Sequence, residues 1–548
     1  MKPFSLARVL VAVGCLASCS RSSSHATPQS SPDGGVVALA PPLASGPAFS
    51  FVPAKGPVYV RRGQVTSIPI TITRSHAPGS DIQVTITSKP NGVSVAPLTI
   101  AAGSSTGELA ITVDKSMAQG ALKDDLVLQG SPPGASATAT MNLPLFVRGK
   151  RGEFDTTFAP GGVYENIEKK YYSIPIVVSQ SDGKILIGAW IDGVWHTNDR
   201  GSVGWSEVIR LNADGSVDST FRAPFIQTAS GGDVYGLTAY PDGRVVTITL
   251  DYIIRYTATG TPDVTFNKIG SVSTDSLISA GKNSFYPEDV VAVGQDDSIY
   301  VGGSAKVSNN GPGTKYAFLQ IPANGQGNTR GMHGCSGAWD KTNESQYITK
   351  LSLLSTGALV FAGTGTVKGL STSRDGVGVG RYNQPTSCAL DPNYGNKGIW
   401  YSKAWHHLED AVFEADGSVD LLVSNGVTPE VYSIVRINKN GNLEAKVDLP
   451  LYAASGITRV PDGRYLVAGG HEQPVGKNSM AVACYTSDLK PDTSIGKQGV
   501  AIMPVSTTLS DYGSERKIGL RAVYTPDGSR TVVVGRIDSH LVVARIWN

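Results

Sequence analysis

A short stretch, SDGKILIGAW at Ser181–Trp190, recurs along the chain and constrains the fold more than any other feature. Looser copies read PDGRVVTI from Pro241, QDDSIYVGG from Gln295, STGALVFAG from Ser355, ADGSVDLLV from Ala415, PDGRYLVAGG from Pro461 and PDGSRTVVVG from Pro526. Their turn positions (Asp182, Asp242, Asp296, Thr356, Asp416, Asp462, Asp527) follow one another after 60, 54, 60, 60, 46 and 65 residues. A fixed period of this size means a repeat architecture, in which no unit buries its apolar face alone. Asp-Gly between apolar runs is a hairpin signal, because type I′ turns need positive φ. Each repeat offers four strands, which fits one blade of a ring of antiparallel sheets. A solenoid fits the period equally well. The ends decide against it: the last repeat stops at RIWN, and Gly152–Phe158 (GEFDTTF) reads like Gly215–Phe221 (GSVDSTF). Strands from the two ends completing one blade would close the ring and remove its free edges.

Each repeat carries a second motif: VIRLNADGSVDSTF (Val208–Phe221), IIRYTATGTPDVTF (Ile253–Phe266), IVRINKNGNLEAKV (Ile434–Val447) and VVARIWN (Val542–Asn548) are examples. These segments resemble the delta-60 repeat of bacterial secreted proteins over Gly149–Asn548. Within them Arg210 aligns with Asp218, Arg255 with Asp263, Arg381 with Asp391, Arg436 with Glu444, and Arg545 with Asp155. The third repeat has Gln320 and Asn328, and the sixth has Cys484 opposite Asp492. Neighbouring hairpin strands bring such groups within reach, so intrablade ion pairs are expected. A ring of arginines binding anions in the channel is the alternative.

The first residues, MKPFSLARVLVAVGCLASC, have Lys2 and Arg8 ahead of an apolar run too short to span a bilayer. Leu16-Ala17-Ser18-Cys19 resembles the lipobox of bacterial lipoproteins. That resemblance implies a signal peptide over 1–18, lipidation at Cys19, and attachment to the envelope, with Ser20 pointing to the outer membrane. An ordinary cleaved signal peptide is the other reading. Residues 19–46, rich in Ser, Pro and Ala, cannot bury a core and read as a tether. From 47 to 147 runs such as VTSIPITITR (Val65–Arg74) and GELAITVD (Gly107–Asp114) alternate between turn signals, which reads as a β-sandwich. It resembles bacterial immunoglobulin-like modules. The expected fold is therefore all-β: an immunoglobulin-like sandwich followed by a seven-bladed β-propeller over 148–548.

Composition narrows function. Net charge is +2 with no basic block, which leaves nucleic acid without an electrostatic footprint. No cysteine or histidine spacing suggests zinc, so neither metal nor cofactor is expected. Asn212, Asp214 and Asp218 have part of a calcium-loop pattern, and a hairpin turn explains the same residues. Cys335 and Cys388 fall in loop-like stretches of successive repeats, where an oxidising compartment permits a disulfide; Cys484 lies within a strand. No nucleophile, phosphate-cradling loop or paired-carboxylate motif stands out.

Length variation falls on the face opposite the Asp-Gly turns, in Ile191–Gly204, Gly303–Lys315, Asn328–Gln346, Thr366–Gly376 and Gly496–Lys517. Insertions on a rigid scaffold gather where function sits. Trp195, Trp205, Trp400, Trp405 and His406 lie in or beside those insertions and are the candidate ligand platform. Rings that merely pack the loops down are the alternative. The expected role is an envelope scaffold binding a protein or glycan partner, with a propeller enzyme acting on extracellular carbohydrate as the second reading.

Overall fold

The computed structural model describes residues 49–548 apart from 55, 76–78, 135–137, 174, 192–203, 229–232, 275–284, 294–295, 306–313, 327–332, 338–342, 368–374, 385–387, 428, 474–476, 504–519 and 538. The lipobox and the tether therefore lie outside the described residues. The regular secondary structure among the described residues is all strand, apart from one 3-10 turn at Pro160–Gly162.

Residues up to 148 form two four-stranded antiparallel sheets that share one core. Phe49–Phe51, Val65–Arg74, Thr106–Val113 and Val93–Val95 make the first, and Ala139–Leu143, Leu126–Ser131, Ile82–Ser88 and Leu98–Ile100 the second. Alternating residues such as Ile70, Val84, Leu109 and Leu128 fill the space between them, the period-two consequence of a strand with one buried face. The sequence ATMNLPLFV at Ala139–Val147 reads as one apolar-rich run. It divides at Pro144, which has no N–H for the ladder, and Leu145–Arg148 instead pairs in parallel with Val58–Arg61.

Beyond Arg148, among the described residues, the chain forms seven further antiparallel sheets of four strands in sequence order, the fourth with one extra strand. The first uses Ile176–Ser179, Ile185–Ile191, Gly204–Leu211 and Ile226–Thr228; the second uses Gly236–Ala239, Val245–Ile248, Tyr252–Tyr256 and Ser271–Ser273. The leading strands of successive sheets stand side by side, and that of the seventh, Leu520–Tyr524, lies against that of the first. The ring is closed. Its seventh sheet takes its outer strand, Val163–Asn166, from the start of the module, paired with His540–Trp547. The expected strand at Gly152–Phe158 is instead the turn before that strand, with Phe154 bridged to Ile546.

The Asp-Gly turns behave as their chemistry requires. Gly183 sits at φ 84°, and Asp182 Oδ1 accepts the Lys184 amide at 3.1 Å. In the third sheet Asp297 takes the left-handed position, φ 62°, in the absence of a glycine.

A repeated cassette lies at this turn end. Arg210 Nε donates to Asp218 at 2.8 Å, Arg255 to Asp263 at 2.7 Å, Arg381 to Asp391 at 2.8 Å and Arg545 to Asp155 at 2.9 Å. Each guanidinium also covers an aromatic ring three residues beyond its acid: Phe221, Phe266, Tyr394 and Phe158, at 4.6–4.8 Å. The same arginines reach into the next sheet through Nη1. Arg210 donates to the Ala258 carbonyl at 2.8 Å, Arg255 to Ala323 at 2.6 Å, Arg381 to Lys439 at 2.8 Å, and Arg545 to Ala213. One side chain thus ties its own hairpin and the joint to its neighbour. The Arg545 contact ties the last strand to the first sheet.

Arg436 departs from its alignment. It donates to Asp420 at 2.8 Å, while Glu444 is exposed and unconnected to it. Asp420 stands directly across the ladder from Arg436, where the other sheets that carry the arginine have Leu186, Val246, Val360 or Val532. An acid on the adjacent strand meets the guanidinium without the turn that Asp218 needs. In the sixth sheet Arg464, from the Asp-Gly turn, supplies the cation that position 484 lacks and lies 3.3 Å from Asp492. Burial pushes the Cys484 thiol up to about 12, which suits an inert core residue.

Candidate functional site

The end of the ring opposite the Asp-Gly turns carries the insertions, and most of their residues lie outside the described ones. Trp195 is among these, as is the side chain of Cys335. Cys388 is disulfide-bonded, to a partner outside the described side chains. The calcium-like pattern is a turn: Asp214 Oδ1 accepts the Ser216 amide at 2.9 Å and its hydroxyl at 2.7 Å. Among the described residues no group of three or more His, Cys, Asp or Glu is placed to hold a metal.

The remaining tryptophans do not form one platform. Trp405 is 7% exposed and belongs to a core with Tyr394, Leu408 and Val435. Trp400 packs on it, ring centroids 6.1 Å apart. Trp400 stands on Ile399–Ser402, which pairs with Asp375–Gln384, and is half-buried, so of these two rings Trp405 is the one packed into the core. His406, half-buried, anchors its amide on the Ser424 carbonyl at 2.8 Å.

Trp205 leads elsewhere. It opens the third strand of the first sheet and meets Phe225 edge-on at 6.4 Å. Lys169 Nζ sits 5.0 Å from the same Phe225 ring and is paired with Glu207. Phe225 is nevertheless 51% exposed, because it lines a groove of about 250 Å³ between the outer edges of the first two sheets. Ile226, Tyr252, Ile254, Pro262 and Ile269 complete the apolar wall, with Gln227 and Ser271 its polar side chains. Tyr252 is 38% exposed and Ile269 66%. The sequence signal for this groove is weak but present: APFI at Ala223–Ile226 and NKIG at Asn267–Gly270 put large apolar residues at the entry to short outer strands, where polar ones are ordinary.

The axis of the ring has its own charged group, built from the leading strands of four sheets. Asp410 lies 3.4 Å from Lys350 and 3.9 Å from Arg521, and accepts the Ile457 amide at 3.0 Å. Its charge is balanced on all sides. The adjacent Glu409 is raised above the usual carboxylate range by burial, opposed by Arg521 and His407 and reinforced by Glu430. Glu430 itself accepts the Tyr432 hydroxyl at 2.9 Å.

Residues 180–221 match the model of a β-propeller domain of unknown function, DUF5122. With that match and the ring of sheets, the chain carries a β-propeller module. No curated protein matches it. Among solved structures, an ACO/RPE65 chimera aligns at 10% identity over 71% of this chain and 94% of its own, with a TM-score of 0.34. Cobalt-substituted Synechocystis ACO aligns at 8% identity over 90% and 97%, TM-score 0.24. A protein of unknown function from Porphyromonas gingivalis aligns at 14% identity over 42% and 96%, TM-score 0.15. Likenesses at these TM-scores carry no argument about the function of this chain.

Proposed function

We propose that the protein is an exported, lipid-anchored component of the bacterial cell envelope. In this reading Cys19 carries the lipid, residues 19–46 are the tether, and an immunoglobulin-like sandwich over 47–147 holds a seven-bladed β-propeller clear of the membrane. The propeller binds a protein of the envelope. The observation that supports this reading is the apolar groove between the first two blades. Exposed Phe225, Tyr252 and Ile269 converge there, whereas single apolar residues scattered on a surface need no explanation. Large rings held by neighbours, as Trp205 and Lys169 hold Phe225, are what protein hot spots are made of. A glycan would ask for more hydrogen-bonding side chains than Gln227 and Ser271. Carbohydrate hydrolysis would ask for two working carboxylates. Asp410 is paired with Lys350 and Arg521 and Glu430 is engaged by Tyr432, which leaves Glu409 as the single raised carboxyl of this group and favours binding over chemistry.

The groove is tested by comparing envelope proteins cross-linked to the wild type with those cross-linked to Phe225→Ser and Tyr252→Ser. Loss of a common partner, with the melting temperature within about 2 °C of wild type, is the expected result, since exposed residues contribute little to folding. Undiminished capture by both variants excludes the groove. Anchoring is tested separately: Cys19→Ala is expected to leave the membrane fraction, because the acyl chains contribute about 0.8 kcal/mol per buried methylene. Retention of that variant in detergent-extractable membranes would overturn the lipid assignment.

A further inference from the structure

The two modules meet at the turn end of the sixth and seventh sheets, around a cavity of about 430 Å³. Arg61 and Arg148 enter it from the first module, Arg151 from the segment joining the modules, and Arg464 from the sixth sheet. Asp462 and Asp527 are the acids of the wall, so its side chains carry two positive charges in excess. The acids are already engaged. Asp462 is 2.6 Å from Arg464, and Asp527 is 3.4 Å from Arg530, just outside the cavity.

The other three arginines make no hydrogen bond to an acidic side chain among the described residues; charge alone links Arg148 to Asp527 and Arg151 to Asp462. Arg61 Nη2 donates to the main-chain oxygen of Asn548 at 2.9 Å, and Arg151 Nη1 reaches only Ser494 Oγ at 3.4 Å. Arg148 is held over the Tyr59 ring at 3.7 Å, and its Nε is buried without an acceptor. A buried donor left unpaired is costly, and such groups point to something missing from the site. The repulsion is visible in the guanidinium of Arg61, whose proton affinity is lowered by burial and then by Arg151, Arg148 and Arg464.

We propose that this cavity is a binding site for a doubly charged oxyanion of the phosphate class, held by Arg61, Arg148 and Arg151 between the two modules. Planar guanidinium forks match the oxygens of a tetrahedral oxyanion such as a phosphate monoester or inorganic phosphate. Such a ligand bridges the modules, so its binding stiffens the angle between them. The apolar groove at Phe225 lies on the first two sheets and does not take part.

The experiment uses the full chain carrying Cys19→Ala, so that no acyl chain contributes. Inorganic phosphate is titrated by calorimetry and by thermal shift, with ionic strength held constant by chloride. A saturable rise of about 2–4 °C is expected for a ligand that binds only the folded protein. Arg151→Gln, which removes the long Ser494 hydrogen bond and the charge that acts on Asp462 and Arg61, is expected to weaken binding about tenfold, the loss of one charge-assisted hydrogen bond. Arg61→Gln is expected to do the same, and Arg148→Lys keeps charge while losing the fork. In a second arm, vesicles containing phosphatidic acid are compared with vesicles of phosphatidylcholine alone. Binding of phosphate that Arg151→Gln weakens supports a free anion. Retention on the acidic vesicles alone, again sensitive to Arg151→Gln, supports a lipid headgroup as its source. No binding in either arm, or binding indifferent to both glutamine variants, overturns the proposal.

Discussion

Asp155→Asn is expected to destabilise the propeller module by about 3–5 kcal/mol, the usual consequence of removing one partner from a buried ion pair. Asp155 is fully buried and serves two guanidiniums, Arg545 at 2.8 Å and Arg530 at 2.6 Å. Asparagine keeps its shape and most of the Thr157 contacts but leaves both cations without a counter-charge. The position in the chain enlarges the effect. Asp155 lies at the beginning of the module and both arginines lie near residue 548, so this cluster fastens the two ends of the ring. Asp263→Asn, which removes an acid serving Arg255 in the middle of the module, is expected to cost less. The measurement is equilibrium unfolding in urea, with amide exchange followed in Val163–Asn166 and His540–Trp547. Exchange in both strands should accelerate together in Asp155→Asn and stay slow in Asp263→Asn. A loss below about 1 kcal/mol for Asp155→Asn, inside the range of ordinary surface changes, refutes its closing role.

The repeat was legible because one local device recurs. An Asp-Gly pair sets a hairpin, the hairpin sets the ladder, and the ladder places an arginine eight residues before an acid. Arg210 and Asp218 therefore needed only local geometry. Even there the environment decides the charge: burial alone would raise the Asp218 carboxyl, and hydrogen bonds from Thr220, Lys184 and Arg210 pull it below the usual range. Arg436 shows where such reading stops. Its acid stands across the ladder at Asp420, and no spacing along the chain distinguishes that residue from an ordinary strand position. The same holds for the reach of Nη1 into the next sheet, which spans 48 residues in Arg210 and 332 in Arg545.

The tryptophans depart from expectation for a related reason. Nearness to an insertion does not by itself place a ring at the surface. Trp400 lies on the strand Ile399–Ser402, outside the insertions, and packs on Trp405, which belongs to a core cluster. The groove at Phe225 and the arginine cavity at the module joint each require two segments far apart in sequence. The apolar APFI and NKIG segments hint at the groove, and the arginines of the cavity carry no motif. Only the contact between elements distinguishes them from unremarkable surface.

Trp547→Ala is expected to separate the two modules thermodynamically. The indole is 1% exposed and is shared between them: Phe146 of the first module lies 6.3 Å away, and Nε1 donates to Gln119 Oε1 at 2.8 Å. Gln119 passes the contact on, accepting the Thr156 amide at 3.0 Å and donating to the Phe154 carbonyl at 3.0 Å. Arg530 covers the ring from the propeller side at 4.4 Å. The main other side-chain ion pair across the joint, Arg62 with Glu153 at 2.8 Å, is part-exposed at both ends and adds at most about 1 kcal/mol. Truncating a buried aromatic side chain costs about 3–5 kcal/mol, and here the loss falls mainly on the coupling. Calorimetry of the wild type is expected to show one transition in which both modules melt together. In Trp547→Ala the first module should melt separately, at a lower temperature than the ring. Trp547→Phe retains a ring against Phe146 and loses only the Gln119 hydrogen bond, about 1 kcal/mol, so it should keep the single transition. A single, unshifted transition in Trp547→Ala would show that the modules are joined through their arginines and main chain instead of through this ring.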